Sequence, residues 1–270
     1  MTFCICNPTY VDALGGMSAG GSAVVVCTGH IIEGGIKPSG SANVDVLQDT
    51  YDGMSALWPL DETSSPYLDL SRKGLDGTAR LAPTRVDGVM CHYAQYFNEG
   101  SIYCDNDDLR GPYSCSMWLN ITDELDSKTL FSRATERESV TQIGYTILRQ
   151  VYLDQTTIDG DESISVAAFS NMLSQDRWYH IAVEWDGTEA RVYVDGVLSG
   201  TSNTTGYTSV GTPTKIGIGE LQTSSQPDAS LQEIHLFPEV KGTDYWKVEH
   251  DNACLAGFFI DGPVEDLTPT

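Results

Sequence analysis

Between residues 51 and 260, short runs of apolar, β-branched and aromatic residues alternate with pieces rich in Gly, Pro, Asn, Asp and Ser. This pattern is typical of an all-β domain of many short strands, either a sandwich or a barrel. Only 243–252 has the pattern of a helix, with Thr243 or Asp244 as its N-cap. The predicted strands are 56–60, 91–97, 114–121, 145–153, 163–169, 178–185, 190–194, 215–218 and 231–236.

The stretch 176–200, "DRWYHIAVEWDGTEARVYVDGVLSG", carries the clearest alternation in the chain. Side chains of a strand point alternately to its two faces. One face of 178–185 is therefore predicted to be apolar, and the return strand is predicted to point Ala190, Val192 and Val194 inward and Arg191 and Tyr193 outward. The apolar face holds Tyr179, Ile181, Val183 and Trp185, and the other face holds His180, Ala182 and Glu184.

Two Asp-Gly pairs, Asp186-Gly187 and Asp195-Gly196, interrupt this alternation. Asp-Gly is a strong signal for a two-residue hairpin, because a type I′ turn needs positive φ at both central residues. The stretch is therefore predicted to form a three-stranded meander with one apolar face.

The same stretch contains Glu184-x-Asp186-x-x-Glu189, an acid spacing found in some sugar-cleaving enzymes. A retaining glycosidase needs two carboxylates about 5 Å apart across the scissile bond. This spacing provides them only if the residues follow one continuous strand, whereas Asp186 is predicted to lie in a turn and Glu189 to begin the next strand. The turn favours an architectural role for these acids over a catalytic one.

Residues 1–50 differ from the rest of the chain. "GGMSAGGSAVV" (15–25) and "GGIKPSGSANV" (34–44) match at six of eleven positions with a period of 19 residues. Gly-rich strands are weakly specified in register and gain most by pairing with another chain. The segment is interpreted as a Gly-rich β arm for attachment or assembly, with a flexible linker as the alternative. Residues 261–270 form a polar C-terminal tail.

The charge balance is strongly acidic, with 15 Lys and Arg against 38 Asp and Glu and a formal net charge of −23. Such a surface repels phosphate backbones, so nucleic acid is excluded as an expected partner. The longest early apolar run, 23–27, is too short for membrane insertion. The first basic residue is Lys37, so the basic start of a secretory signal is missing. Unless the sequence is already processed, export by the usual amino-terminal route is not expected.

Seven cysteines leave at least one without a partner within the chain. Cys104 and Cys115 flank a short loop and could form a disulfide, although nothing in the sequence requires one. A candidate zinc site has the ligand types of a tetrahedral centre, and its alternative is a set of small buried thiols. The candidate zinc ligands are Cys4, Cys6, Cys27 and His30.

With the meander in place, the chain resembles the laminin-G-like branch of the concanavalin A-like lectin/glucanase superfamily over about residues 55–260. The resemblance rests on several motifs in the expected order and implies a jelly-roll sandwich of two curved antiparallel sheets. It implies little about function, because fold does not fix function. The motifs are "ALWPLDE" (56–62), "DLSRKGLDGTA" (69–79), the stretch 176–198, "LQEIHLF" (231–237) and "DYWKVEHDNAC" (244–254).

The resemblance also implies that rim loops or the concave sheet bind glycans or proteins, in some members through Ca²⁺. Ca²⁺ takes six to eight oxygen ligands. The best local supply is the candidate calcium loop 104–111, followed by 158–163, and both could equally be ordinary acidic turns. The candidate calcium ligands are Asp105, Asn106, Asp107 and Asp108.

Sugar binding requires an exposed aromatic ring beside amide and carboxylate groups. The candidate ligand-binding residues are Tyr103, His180 and Tyr193, whereas Trp118, Trp178 and Trp185 are interpreted as core residues.

Three functions from different classes fit this sequence. The first is a non-catalytic structural and adhesive protein on a bacteriophage virion, as a capsid decoration or tail protein. Its arm would bind other virion proteins and support a homo-oligomer, and the domain would touch host or environmental glycans. The second is a bacterial extracellular or cell-surface carbohydrate-binding adhesin. The third, a glycan hydrolase, is disfavoured by the turn at Asp186.

Overall fold

The structure, a computed structural model, describes most of the chain beyond residue 52. The described residues are 53–71, 73–89, 93–105, 111–122, 126–134, 139–159, 162–203, 208–209, 214–219 and 227–254. The predicted arm, the candidate zinc ligands, three of the four candidate calcium ligands (residues 106–108) and the C-terminal tail lie outside them.

Strands dominate the described residues, and one helix, α1 (Thr243–Cys254), follows the last strand. The strands are β1 Ala56–Trp58, β2 Thr78–Leu81, β3 Thr84–Asp87, β4 Tyr93–Phe97, β5 Ser101–Cys104, β6 Tyr113–Ile121, β7 Lys128–Ala134, β8 Ser139–Tyr145, β9 Gln150–Asp159, β10 Glu162–Met172, β11 Trp178–Trp185, β12 Glu189–Val194, β13 Val197–Asn203, β14 Thr208–Ser209, β15 Lys215–Ile218 and β16 Ala229–Phe237.

Two antiparallel sheets form the domain, which lies within one compact unit, Tyr51–Asp251. Sheet I has the strand order β13-β12-β11-β6-β16-β4-β3, with β1 paired to β16. Sheet II has the order β10-β9-β8-β7-β15-β5-β2, with β14 paired to β9. Each sheet joins runs of consecutive strands to strands distant in sequence, such as β6 to β16 and β7 to β15, as expected of a jelly roll. The predicted all-β jelly-roll sandwich is confirmed.

The main core lies between the two sheets and is built from alternate residues of their strands. On β11 the inward residues include Ile181 and Val183, and on β16 they include Leu231 and Leu236, all at most 1% exposed. The predicted inward face of the meander is therefore confirmed. One edge of the sandwich is closed where β13 crosses β10, since a Cβ atom on Gly200 would lie only 1.8 Å from the carbonyl oxygen of Phe169.

The outer face of sheet I is covered as well, which corrects the prediction of a meander with a single apolar face. Ala182 and Tyr193 point outward and pack in a second apolar cluster with Phe237 of β16 and Trp246 of α1. Leu57 of β1 joins them. Alternation assigns residues to faces correctly, but it does not show that a distant helix returns to bury the outer one.

One predicted strand is wrong. The run 145–153 contains a turn instead, because Arg149 has φ of +55° and Thr146 Oγ1 accepts hydrogen bonds from the backbone N–H groups of Leu148 and Gln150. The apolar, β-branched composition of the run conceals this turn. The strands predicted at 178–185 and 215–218 have the bounds of β11 and β15.

The two Asp-Gly turns differ. Asp195 and Gly196 both have positive φ, +49° and +73°, and join β12 to β13 as a type I′ turn requires. In the other turn Gly187 has φ of +95°, but Asp186 has no positive φ, and its N–H bonds to the carbonyl of Glu189. The central residues there are therefore Gly187 and Thr188, one position later than predicted.

Cys104 and Cys115 are both buried, and the disulfide considered between them is not formed. Cys104 lies on β5 in sheet II and Cys115 on β6 in sheet I. Burial raises the pKa of the Cys115 thiol far above its usual range. In the described part of the chain, no helix has the length and hydropathy needed to cross a bilayer.

Candidate functional site

A cleft of about 260 Å³ opens where β2 and β5 form the edge of sheet II. Tyr103 points to the outer face of the sheet, opposite Thr78 on one side and Gly217 on the other. Since Gly217 contributes no side chain, the neighbouring strand does not cover the tyrosine ring at this position. The lining residues are Gly74, Leu75, Asp76, Thr78, Tyr103, Cys104 and Asp105.

One wall of the cleft is the loop between β1 and β2, which Asp69 holds in place. Its Oδ1 accepts hydrogen bonds from the backbone N–H groups of Leu57 (3.0 Å) and Ser71 (2.9 Å). Its Oδ2 accepts from the Ser71 hydroxyl and from the N–H of Leu75. The Asp-x-Ser segment that carried the family resemblance is thus a loop-building motif whose carboxylate is fully occupied.

Further contacts fix the same wall. The carbonyl of Leu75 accepts hydrogen bonds from Trp58 Nε1 at 2.8 Å and from Cys104 Sγ at 3.3 Å. Asp76 Oδ1 accepts from the backbone N–H of Asp69 at 2.8 Å. A wall held this firmly limits the conformational entropy that a ligand would have to remove on binding.

The cleft exposes groups that suit a polyhydroxylated ligand. Asp76, Thr78 and Asp105 are exposed, and Tyr103 is half-buried with one part of its side chain open. The site thus combines an aromatic surface with one hydroxyl and two carboxylates. Of the three candidate ligand-binding residues, Tyr103 is the one whose placement satisfies the requirement for an accessible ring.

The described residues alone do not fit a Ca²⁺ site. They contain no group of three or more His, Cys, Asp or Glu side chains arranged to hold a metal. Asp76 and Asp105 supply fewer oxygens than the six to eight that Ca²⁺ takes. The candidate loop at residues 106–108 is outside the described residues, so the calcium prediction stays a prediction.

His180 and Tyr193 do not meet the condition on which they were selected, because both side chains are only 2% exposed. Tyr193 Oη donates to Glu184 Oε2 at 2.9 Å, and burial together with this carboxylate raises the pKa of Tyr193 to about 12. The His180 ring lies between Trp118, at 5.3 Å, and Trp246, at 6.5 Å. Helix α1, whose position the sequence pattern did not give, removes both residues from solvent.

Glu184, the first acid of the suspected catalytic motif, is fully buried and anchors α1. Its Oε1 accepts hydrogen bonds from the backbone N–H groups of Lys241 and Gly242, at 2.9 and 2.6 Å, and from Trp246 Nε1 at 2.8 Å. With Tyr193 on Oε2, both oxygens are engaged. Glu184 therefore joins β11 to the start of the helix.

The other two acids of the motif bind Arg191. Its Nη2 lies 2.6 Å from Asp186 Oδ2 and 2.6 Å from Glu189 Oε2. Asp186 Oδ1 also accepts from the N–H groups of Thr188 and Glu189. Burial alone would raise the pKa of Asp186, but these hydrogen bonds hold it well below its usual range. All three carboxylates serve the hairpin and the helix, as the turn argument expected.

Asp76 and Thr78 were missed by the sequence analysis, although both lie inside the quoted segment 69–79. A second group was also missed: Glu249 of α1, which contacts His235 and His180 on the outer face of sheet I. The alternation of polar residues on β11 and β16 was the available signal for this buried cluster.

Residues 98–243, more than half of the chain, match the family model Laminin_G_3, described as the concanavalin A-like lectin/glucanases superfamily. No curated protein matches the sequence at a significant level.

Several similar solved structures are binding domains of botulinum neurotoxins. One belongs to botulinum neurotoxin type C, whose cell entry is described as dependent on interaction with two ganglioside molecules. It has a TM-score of 0.60 at 11% sequence identity. Another is the binding domain of neurotoxin DC in complex with SialylT, with a TM-score of 0.60 at 8% identity. The alignments cover 76% and 75% of this chain and 52% of each neurotoxin chain, so the chain spans about half of those structures. At these identities the likeness is one of fold.

Proposed function

Because the chain belongs to the concanavalin A-like lectin/glucanases superfamily, we propose that it is a non-catalytic, lectin-like protein that binds glycans in the cleft beside Tyr103. The observation that carries this proposal is the cleft itself, where an accessible tyrosine lies among exposed hydroxyl and carboxylate groups. Aromatic rings pack against the apolar faces of sugar rings, and a few fixed polar groups orient the hydroxyls.

The charge of the cleft narrows the class of glycan. Asp76 and Asp105 are its exposed charged residues, and the whole chain carries a formal charge of −23. A sialylated glycan would bring a further negative charge to an acidic surface, at a cost in binding free energy. Neutral sugars, or amino sugars whose hydroxyl and ammonium groups donate to carboxylates, are therefore the proposed ligands.

Two further observations support the proposal. Solved structures of the same fold include that of a neurotoxin whose cell entry depends on interaction with two ganglioside molecules, so the fold occurs in proteins that bind glycolipids. In this chain, Glu184, Asp186 and Glu189 are each engaged by the hairpin or the helix. An acid–base pair facing a sugar is therefore not available from this motif, which favours binding without hydrolysis.

Replacing Tyr103 with Ala is expected to weaken glycan binding about tenfold or more, since loss of a central aromatic contact costs about 1.4 to 2 kcal/mol. The ligand is first identified on a glycan array, and its affinity is then measured by calorimetry. Tyr93→Ala is the matched control, because Tyr93 is an exposed tyrosine on β4 of the other sheet. Equal affinity of the Tyr103 variant and the wild type would contradict the proposed site.

We further propose that the protein is displayed on a particle, as a capsid decoration or tail protein of a bacteriophage virion. The support is the Gly-rich repeat in residues 1–50, which suits pairing with a neighbouring chain, together with a domain that presents an acidic surface. A bacterial cell-surface adhesin is the alternative.

Deletion of residues 1–50 is expected to abolish incorporation into the particle, because the arm supplies the attachment. Purified particles with wild-type or truncated protein are compared by quantitative immunoblot. The Tyr103→Ala variant serves as the control and should load normally. Normal loading of the truncated protein would overturn the role of the arm, and its presence on bacterial envelopes instead of particles would favour the adhesin.

A further inference from the structure

We propose that a second carbohydrate-binding site lies on the outer face of sheet I, between Trp178 and Tyr96. It is separate from the cleft beside Tyr103, which lies on sheet II, and it rests on the proposed function for the class of its ligand. The binding strip, as we call it, consists of Trp178, Asn120, Ser230 and Tyr96.

Strand register places these four residues in one row. Trp178 of β11 pairs with Asn120 of β6, Asn120 pairs with Ser230 of β16, and Ser230 pairs with Tyr96 of β4. Their neighbours Tyr179 and Leu231 point into the core, so the row faces outward. Three strand spacings separate the two rings by about 14 Å. This distance suits a short oligosaccharide lying across the strands.

Trp178 departs from its predicted place in the core. The other four tryptophans are at most 8% exposed, whereas Trp178 is half-buried and keeps part of its ring accessible. Tryptophan has an apolar body, and partial exposure at the end of a polar row gives it the form of a sugar-stacking ring.

The second ring is held in a defined orientation. Tyr96 Oη donates to Asp228 Oδ1 at 2.5 Å and accepts from Asn98 Nδ2 at 3.4 Å. The backbone N–H of Asp228 in turn donates to Tyr145 Oη at 3.1 Å. A ring fixed before binding loses little conformational entropy when a ligand stacks on it.

Unmet hydrogen-bonding capacity concentrates on the same face. Asn120, in the middle of the strip, is half-buried, and its Oδ1 has no partner among the described residues. The next row, His180, Trp118 and Gln232, is at most 4% exposed, so a ligand would contact the strip and not this row. Buried polar atoms without a partner are rare, and each costs about 1 to 3 kcal/mol.

The half-buried Asn120 side chain carries both an amide oxygen and an amide nitrogen. Sugar hydroxyls both donate and accept hydrogen bonds, so a neutral saccharide suits an amide side chain lying between two aromatic rings. A protein partner fits less well, because interface cores are apolar and the exposed large aliphatic side chains of the described residues lie elsewhere. The chemistry of the strip therefore favours a neutral oligosaccharide.

The test uses the full chain labelled with 5-fluorotryptophan and observed by fluorine NMR. A Trp178→Phe variant assigns the Trp178 signal among the five tryptophans. Cellohexaose, laminarihexaose, maltohexaose and chitohexaose are each titrated to millimolar concentration. At least one of them is expected to shift the Trp178 signal, Asn120→Ala should weaken that ligand about tenfold, and Tyr103→Ala should leave the shift unchanged.

The outcomes separate this inference from the proposed function. If a sugar binds without moving the Trp178 signal and Tyr103→Ala abolishes its binding, the second site is refuted. The proposed glycan site in the cleft is then supported. If no sugar moves the Trp178 signal and none binds the cleft, both are wrong. A Trp178 shift with a protein ligand and with none of the four sugars would make the strip a protein interface and overturn the inference.

Discussion

Replacing Glu184 with Ala is expected to lower the free energy of unfolding by about 4 kcal/mol. The substitution leaves two backbone N–H groups, the Trp246 indole N–H and the Tyr193 hydroxyl buried around an empty position. Each unsatisfied buried group costs about 1 to 3 kcal/mol, and removal of one partner from a buried charged network costs about 3 to 5 kcal/mol. Urea denaturation followed by tryptophan fluorescence measures the loss.

Two variants make this prediction specific. Glu189→Ala removes an acid of the same motif that is only paired with Arg191 near the surface, and is expected to change stability by less than about 1 kcal/mol. Glu184→Gln keeps one acceptor oxygen, so its loss of unfolding free energy should lie between those of Glu184→Ala and Glu189→Ala. A Glu184→Ala protein as stable as the wild type would refute the anchoring role, and loss of a hydrolytic activity in a folded Glu184→Gln protein would restore the catalytic interpretation.

Local chemistry explains which parts of the fold could be predicted from the sequence. The alternation of 178–185 and the turn at Asp195-Gly196 depend on neighbouring residues alone, and the structure has both as predicted. The turn hidden at residues 146–149 shows the limit of this reasoning. Its composition is that of a strand, and only the hydroxyl of Thr146 and the left-handed conformation of Arg149 distinguish it.

The candidate site was harder to predict because accessibility depends on packing between distant segments. His180, Tyr193 and Tyr103 all point outward from their strands. Helix α1 covers the first two, whereas a glycine on the neighbouring strand leaves Tyr103 accessible. Trp178 is the reverse case, since its aromatic character predicted burial and its place at the start of β11 leaves it half-exposed.

Polar residues on the outer face of sheet I have two different roles. Toward α1, Glu184 and Glu249 are buried or nearly so, and each makes several polar contacts with the helix or the sheet. Farther along the same strands, Asn120 is half-buried and keeps an oxygen without a partner among the described residues. The two regions therefore differ in exposure, since α1 buries Glu184 and His180 whereas Trp178, Asn120 and Tyr96 are only half-buried.

Raising the pH from about 6.5 to 10 is expected to destabilise the protein through His235. Its Nδ1 lies 2.6 Å from Glu249 Oε1 of α1, and its Nε2 lies 3.3 Å from Glu233 Oε2. Burial alone would lower the pKa of His235, but these two carboxylates raise it to about 10 from an ordinary value of 6.5. Since the folded state binds this proton more tightly, its stabilising effect is complete below pH 6.5 and is lost as the pH rises through 10.

Replacing His235 with Gln is therefore expected to cost about 3 kcal/mol at neutral pH and to flatten this alkaline decline, because Glu249 loses its cationic partner. Urea midpoints between pH 6 and 10 measure both effects. The control is a cycle with Glu249→Leu and the double variant His235→Gln/Glu249→Leu, in which removal of both charges should cost less than the sum of the single changes. If the urea midpoints of the wild type and His235→Gln change in parallel with pH, the ion pair does not hold α1 on sheet I. Additive losses of stability in the cycle would lead to the same conclusion.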